Sequence, residues 1–266
     1  MAMLDDMRNA ALTAGGAFWR GALERSGASR SELARRAALA RQPGPEGISG
    51  PPLHLLLGEL RAVLPRPRRR APAAALHPRP VMLLPGFGAH PVRMRRMLTA
   101  LGGAGHSAHE WGLGFNLGPT PANFAFLLDR VSRLARSHGE PVVLVGWSLG
   151  GLFARELAKL RPEAVAGVVT MGTPFSGDRR ANNAWRAYQF VTGHAVDEPP
   201  VPGDFAVKPP VPTIALWSPR DGIVAPRSAC GWPGERDRAV ALRCNHLGFA
   251  SDPVAIAEVL RQVDAI

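Results

Sequence analysis

The stretch V-V-L-V-G-W-S-L-G-G-L-F, residues 142 to 153, decides the fold. Four apolar residues run into a serine that has glycines on both sides. A strand covered on both faces accounts for the apolar run, and a loop accounts for one glycine; neither accounts for the whole. The arrangement reads as a buried strand, a sharp turn carrying Ser148, and a helix from Leu149 to Leu160. A serine on so tight a strand-to-helix turn is strained. Side chains at Gly146 and Gly150 would strike the adjacent strand and helix, which explains the glycines.

Outward from this point, short apolar runs alternate with amphipathic stretches. Val81 to Leu84 reads as a strand, Met94 to Leu101 as a helix, and His106 to Trp111 as a second strand. Thr120 caps a helix with Pro121 at its first position and an apolar stripe through Phe124, Leu127, Leu128, Val131 and Leu134. Val165 to Met171, Thr213 to Trp217 and Ala239 to Leu242 supply further strands, and Asp252 caps a last helix. This alternation predicts an α/β domain with a mainly parallel sheet flanked by helices. In such sheets ligands sit outside the carboxyl ends of the strands, so chemistry is sought just after each strand.

Four strand ends carry suggestive residues. P-G-F-G-A follows the strand at Val81 to Leu84, where backbone amides can face a developing oxyanion; Phe87 and Leu149 are the expected amide donors. S-P-R-D-G-I-V follows Trp217 and puts Asp221 on an exposed turn, and C-N-H-L-G-F puts His246 on a loop after Leu242. With Ser148 after Val145, the chain order is Ser148, Asp221, His246, the order of a nucleophile, acid and base on a hydrolase sheet. Asp178, Asp197, Asp204 and His194 are competing acids and bases, but none follows a core strand. His90, just past the glycine-rich loop, is read either as a brace for that loop or as a surface residue.

These motifs, with E-W-G-L-G-F-N-L-G-P-T at 110 to 120 and G-T-P-F-S-G at 172 to 177, resemble those of the α/β-hydrolases, more narrowly a bacterial lipase or esterase-like branch. The resemblance covers residues 80 to 266. It implies acyl transfer through a Ser148, Asp221, His246 triad, with no metal and no organic cofactor. One departure stands out: Pro85 occupies the place where many lipases carry a histidine, so the oxyanion loop needs hydrogen-bond support from elsewhere. The expected substrate is an ester with an apolar acyl chain, and Trp147, Trp185 and Phe190 are the candidate substrate-binding aromatics. Acyl transfer to an alcohol or amine by the same triad is the alternative, and a non-catalytic binding protein on the hydrolase scaffold a further one.

The remaining organisation is read from composition. Residues 178 to 210 form a lid or cap insertion, since so long a segment between strands is usually functional or disordered. Residues 1 to 79 form a basic, helical N-terminal extension ending in the proline- and arginine-rich linker from residue 65 to 75; its helical spacing runs through Leu33, Ala37 and Ala40, then Leu53 to Leu64. Residues 80 to 266 are the catalytic domain. Of the formal net charge of +11, the first 80 residues hold 13 Arg against six Asp or Glu. That excess is either a solvated face or a contact for lipid or another anionic surface; nucleic acid is not expected. With neither an apolar leader nor a membrane-spanning run, the expected location is cytoplasmic, with peripheral membrane association as the variant. Cys230 and Cys244 flank the acid and base loops, either as one disulfide or as two thiols.

Overall fold

The computed structural model describes residues 29 to 59 and 73 to 266. Leu60, Leu64 and most of the basic linker lie outside the described residues. Six parallel strands form one sheet: β1 (Pro80–Leu84), β2 (Ser107–Glu110), β3 (Val142–Trp147), β4 (Val165–Met171), β5 (Thr213–Trp217) and β6 (Arg238–Ala241). Their spatial order is β2-β1-β3-β4-β5-β6. All five pairings are parallel, with Val81 opposite Val143 and Trp217 opposite Ala241, and with one register shift at Val142/Val143 where β3 meets β4. The four inner strands are almost wholly buried, whereas the edge strands β2 and β6 are half exposed.

Alternate residues of each inner strand feed opposite cores, as the period of two requires. Val81, Leu83, Val143 and Val145 pack against Met97 and Leu101 of α3 (Arg95–Ala104) and Ala255, Val259 and Val263 of α8 (Pro253–Asp264). Met82, Leu84, Val142 and Leu144 pack on the other face against Leu127 and Val131 of α4 (Pro121–His138) and Phe153 and Leu157 of α5 (Leu149–Leu160). The helix starts follow their sequence signals. Thr120 and Asn123 form a reciprocal capping box on α4, and Asp252 accepts from Val254 N–H to cap α8.

The cap holds one helix, α6 (Trp185–Thr192). Of the N-terminal extension, α1 (Arg30–Ala40) and α2 (Leu53–Glu59) are described. The first lies on α6: Arg36 donates to the Val191 carbonyl, and Gln189 donates to the Leu39 carbonyl, each at 2.8 Å. A five-residue helix, α7 (Pro226–Cys230), follows β5. Cys230 and Cys244 are both free thiols, and burial pushes the Cys244 thiol up to about 12. Among the described residues no helix is long and apolar enough to cross a membrane.

Candidate active site

Ser148 sits between β3 and α5 at φ 52° and ψ −121°, and is the one described non-glycine residue with positive φ. Three glycines make room for this turn. A Cβ at Gly146 would lie 2.5 Å from Gly151 N, one at Gly150 would run into the Leu84 and Pro85 carbonyls, and one at Gly151 would overlap Thr173. The backbone holds the turn as well, because Ser148 N–H donates to the Met171 carbonyl at 2.8 Å.

Asp221 and His246 are both buried, at 0% and 3% exposure, so the exposed turn expected for Asp221 is corrected. The strand ends carry these loops, and the cap and α2 cover them. His246 Nδ1 is 2.8 Å from Asp221 Oδ2, while Asp221 Oδ1 accepts from Ile223 and Val224 N–H at 2.9 and 2.8 Å. These last bonds are an Asx-type turn that fixes the carboxylate plane. Burial by itself would lower the His246 pKa, but the charge and hydrogen bond of Asp221 and the charge of Glu59 leave it raised above the ordinary histidine value.

The pair reaches the serine turn through its neighbours. Trp147 Nε1 donates to the His246 carbonyl at 3.1 Å. Gly172, at φ 54°, lies under the pair: a Cβ there would stand 3.0 Å from both Asp221 Oδ2 and His246 Nδ1. The G-T-P segment after β4 was legible as a motif, but the need for its glycine appears only in three dimensions.

The loop carrying Phe87 stands over the same turn, with Gly86 positioned so that a Cβ would be 3.2 Å from Ser148 Cβ. Support for this loop comes from Asn116, which is fully buried. Its Nδ2 donates to the Pro85 carbonyl at 2.7 Å, its carbonyl accepts from Gly88 N–H at 2.7 Å, and its N–H donates to the Ala89 carbonyl at 3.0 Å. Pro85 in place of a histidine calls for such support, but a lone Asn116 in a glycine-rich segment carries no local sequence signal for it. Leu149 is the first residue of α5, a position whose N–H has no acceptor within the helix. His90 serves the next turn instead, accepting from Val92 N–H and packing on Phe115.

An open cleft reaches Ser148 and is walled by Phe87, Leu149, Leu152, Trp185, Tyr188, Phe205 and Val224, with Arg179 and Asn182 as polar members. Of the three candidate aromatics only Trp185 lines it. Trp147 instead belongs to the core beneath His246, and Phe190 is absent from the wall. Tyr188 and Phe205 take their place, the former with its ring 5.3 Å from that of Phe87. The guanidinium groups of Arg180 and Arg186 stand over the Trp185 ring, 5.6 and 4.0 Å from its centroid.

The competing acids are occupied inside the cap. Asp178 accepts from Arg180 N–H, Asp197 pairs with Arg180, Asp204 accepts from Ala206 N–H, and His194 faces Tyr188. The cap is also bonded to the acid loop, through Asn183 N–H to the Ile223 carbonyl at 2.7 Å and Ala225 N–H to the Ala181 carbonyl at 3.1 Å. Among the described residues no three His, Cys, Asp or Glu side chains gather as metal ligands.

The family described as alpha/beta hydrolase fold matches residues 80 to 197. No curated protein sequence matches the chain. Among solved structures, a soluble variant of monoglyceride lipase from Saccharomyces cerevisiae, in complex with a substrate analog, aligns at a TM-score of 0.54 and 14% identity over 73% of this chain and 88% of its own. A structure from work on the metagenome-derived lipolytic enzymes LipS and LipT aligns at a TM-score of 0.50 and 14% identity, over 73% of this chain and 95% of its own. At such identities the likeness is one of fold.

Proposed function

Taking as premise that the chain belongs to the α/β-hydrolase superfamily, we propose that it is a serine-dependent carboxylic ester hydrolase acting on esters with apolar acyl chains. The observation that carries this reading is Ser148, the one described non-glycine residue at positive φ, opening onto a largely apolar cleft. Holding a serine in that region costs on the order of 1–3 kcal/mol, a strain that clusters at functional sites.

The chemistry follows from the neighbours. His246 takes the proton of the Ser148 hydroxyl as the oxygen attacks the ester carbonyl, and Asp221, bonded to Nδ1, orients the ring and stabilises the resulting cation. The Phe87 and Leu149 amides stabilise the tetrahedral oxyanion. Collapse expels the alcohol, which receives the proton from His246, and leaves an acyl-serine. Water, deprotonated by the same histidine, then releases the acid. The wall from Leu152 to Tyr188 and Phe205 receives the acyl chain, in keeping with pockets that are mainly apolar with a few polar groups.

Hydrolysis of p-nitrophenyl esters from acetyl to long acyl chains, by the wild type and Ser148→Ala, tests this. Turnover should fall by on the order of 10⁴-fold or more in the variant. A folded wild type that a fluorophosphonate labels at Ser148, yet that hydrolyses no ester, would move the reading to acyl transfer. One that neither reacts nor turns over would sink serine chemistry here.

A further inference from the structure

The carboxylate of Glu59, the last residue of α2, is buried at 3% exposure and faces the two loops that hold Asp221 and His246. Its Oε1 accepts from the N–H of Gly222 and of His246, each at 2.8 Å, and its Oε2 accepts from Leu247 N–H at 2.9 Å. One side chain thus grips the residue after the candidate acid, the candidate base itself, and the residue after the base. The rest of α2 follows the same course. Asn245 donates to the Gly58 carbonyl at 3.1 Å, and a Cβ on Gly222 would stand only 2.7 Å from Leu56 N.

The two loops leave different strands, β5 and β6, and the Nδ1–Oδ2 bond alone does not fix their backbones relative to each other. A carboxylate accepting from both does so. His246 and Leu247 also lead into a single 3-10 turn, Leu247–Ala250, whose first N–H groups have no acceptor of their own. Glu59 satisfies them from more than 180 residues away in sequence. A neutral acceptor could tie down the same amides at lower desolvation cost. A negative charge does something more, because it favours the imidazolium that forms when Ser148 loses its proton.

We propose that Glu59 is a positioning residue for the candidate triad, so that the N-terminal extension completes the catalytic domain by bracing its acid and base loops against each other. Its kinetic consequence rests on the ester-hydrolase reading above; its effect on the His246 ring does not.

The test uses the full chain with Glu59→Gln, which keeps the size of the side chain and one acceptor oxygen but removes the charge. Expected is a fall in kcat on the order of 10- to 100-fold with KM within about twofold of wild type. Histidine-selective nitrogen NMR should find the His246 ring titrating at lower pH, since Asp221 and Glu59 are the charges that raise it against burial. A folded Glu59→Gln with wild-type kcat and wild-type His246 titration overturns the proposal, even if its Tm is lower. Should that variant fail to fold, Glu59→Asp keeps the charge but cannot span all three amides; unchanged kcat there is equally fatal. If the wild type turns over no ester, the hydrolase reading fails by itself, and an unshifted His246 titration in Glu59→Gln still decides the role of Glu59.

Discussion

His246 Nδ1 lies 2.8 Å from Asp221 Oδ2, with both side chains shut away from water. Two pH dependences of opposite sign follow. The folded-state pKa of His246 is raised above 6.5, so the stability its protonation contributes is fully present below the unfolded value and is lost as pH rises through the folded one. Catalysis needs the neutral ring, so kcat/KM should climb through that same folded pKa. Tm measured against pH for wild type and His246→Gln should differ most below the unfolded value and least above the folded one, while the rate profile runs the other way. Asp221→Asn should cut kcat by on the order of 10³- to 10⁴-fold.

Asn116 supplies the Pro85–Ala89 loop, the proposed oxyanion loop, with three hydrogen bonds, one of them through its side-chain Nδ2 to the Pro85 carbonyl. Asn116→Ala leaves that carbonyl and Gly118 N–H without side-chain partners in a buried site. The expected cost is about 1–3 kcal/mol of stability, measured by chemical denaturation. Asn116→Asp should be worse, because it sets a carboxylate against the Pro85 carbonyl. In both variants kcat should fall more than KM rises if, as proposed, the loop amides serve the transition state rather than the bound ester.

The contrast between Asn116 and Ser148 marks how far the sequence could be read. The serine turn is local: an apolar run, glycines and an amphipathic helix between Val142 and Leu160 carry their own periodicity, and β4 and β5 likewise fall on continuous apolar runs. Edge strands were read less sharply, because β2 and β6 are half exposed and lack a continuous apolar run. Asn116 and Glu59 act across 31 and as many as 188 residues, and a lone Asn in a glycine-rich loop or Glu at a helix end has no local signature. Of the candidate cleft aromatics, Trp185 is on the wall, and Trp147 is not for a related reason. Position beside Ser148 suggested Trp147, yet strand alternation turns that side chain into the core, leaving the wall to Tyr188 and Phe205.

Gly172 and Gly102 separate two uses of glycine. At Gly172, with φ 54°, a methyl would press on Phe249 Cε2 at 2.9 Å and on both members of the Asp221–His246 pair at 3.0 Å. Gly172→Ala should lower kcat by on the order of 100-fold through displacement of the ring. Gly102, in the exposed part of α3, has nothing within 4 Å of such a methyl. Gly102→Ala should stabilise the protein by about 0.4–1 kcal/mol and leave turnover unchanged. Thermal unfolding and ester kinetics on the two variants check both statements.

Ala184 stands at the start of α6 on the cleft wall, next to Trp185 and one turn before Tyr188. It is half-buried, so a larger side chain there projects into the cleft without disturbing the sheet. Ala184→Phe should leave hydrolysis of an acetyl ester near the wild-type rate and depress kcat/KM for long acyl chains by on the order of 10-fold or more, as a pocket filled by roughly a ring's volume excludes several methylenes worth about 0.8 kcal/mol each. The chain-length profile distinguishes this from a general loss of folding, which would lower all esters together. Equal depression of acetyl and long-chain turnover at unchanged Tm would mean that the acyl group lies elsewhere, and that the aromatic wall faces the alcohol instead.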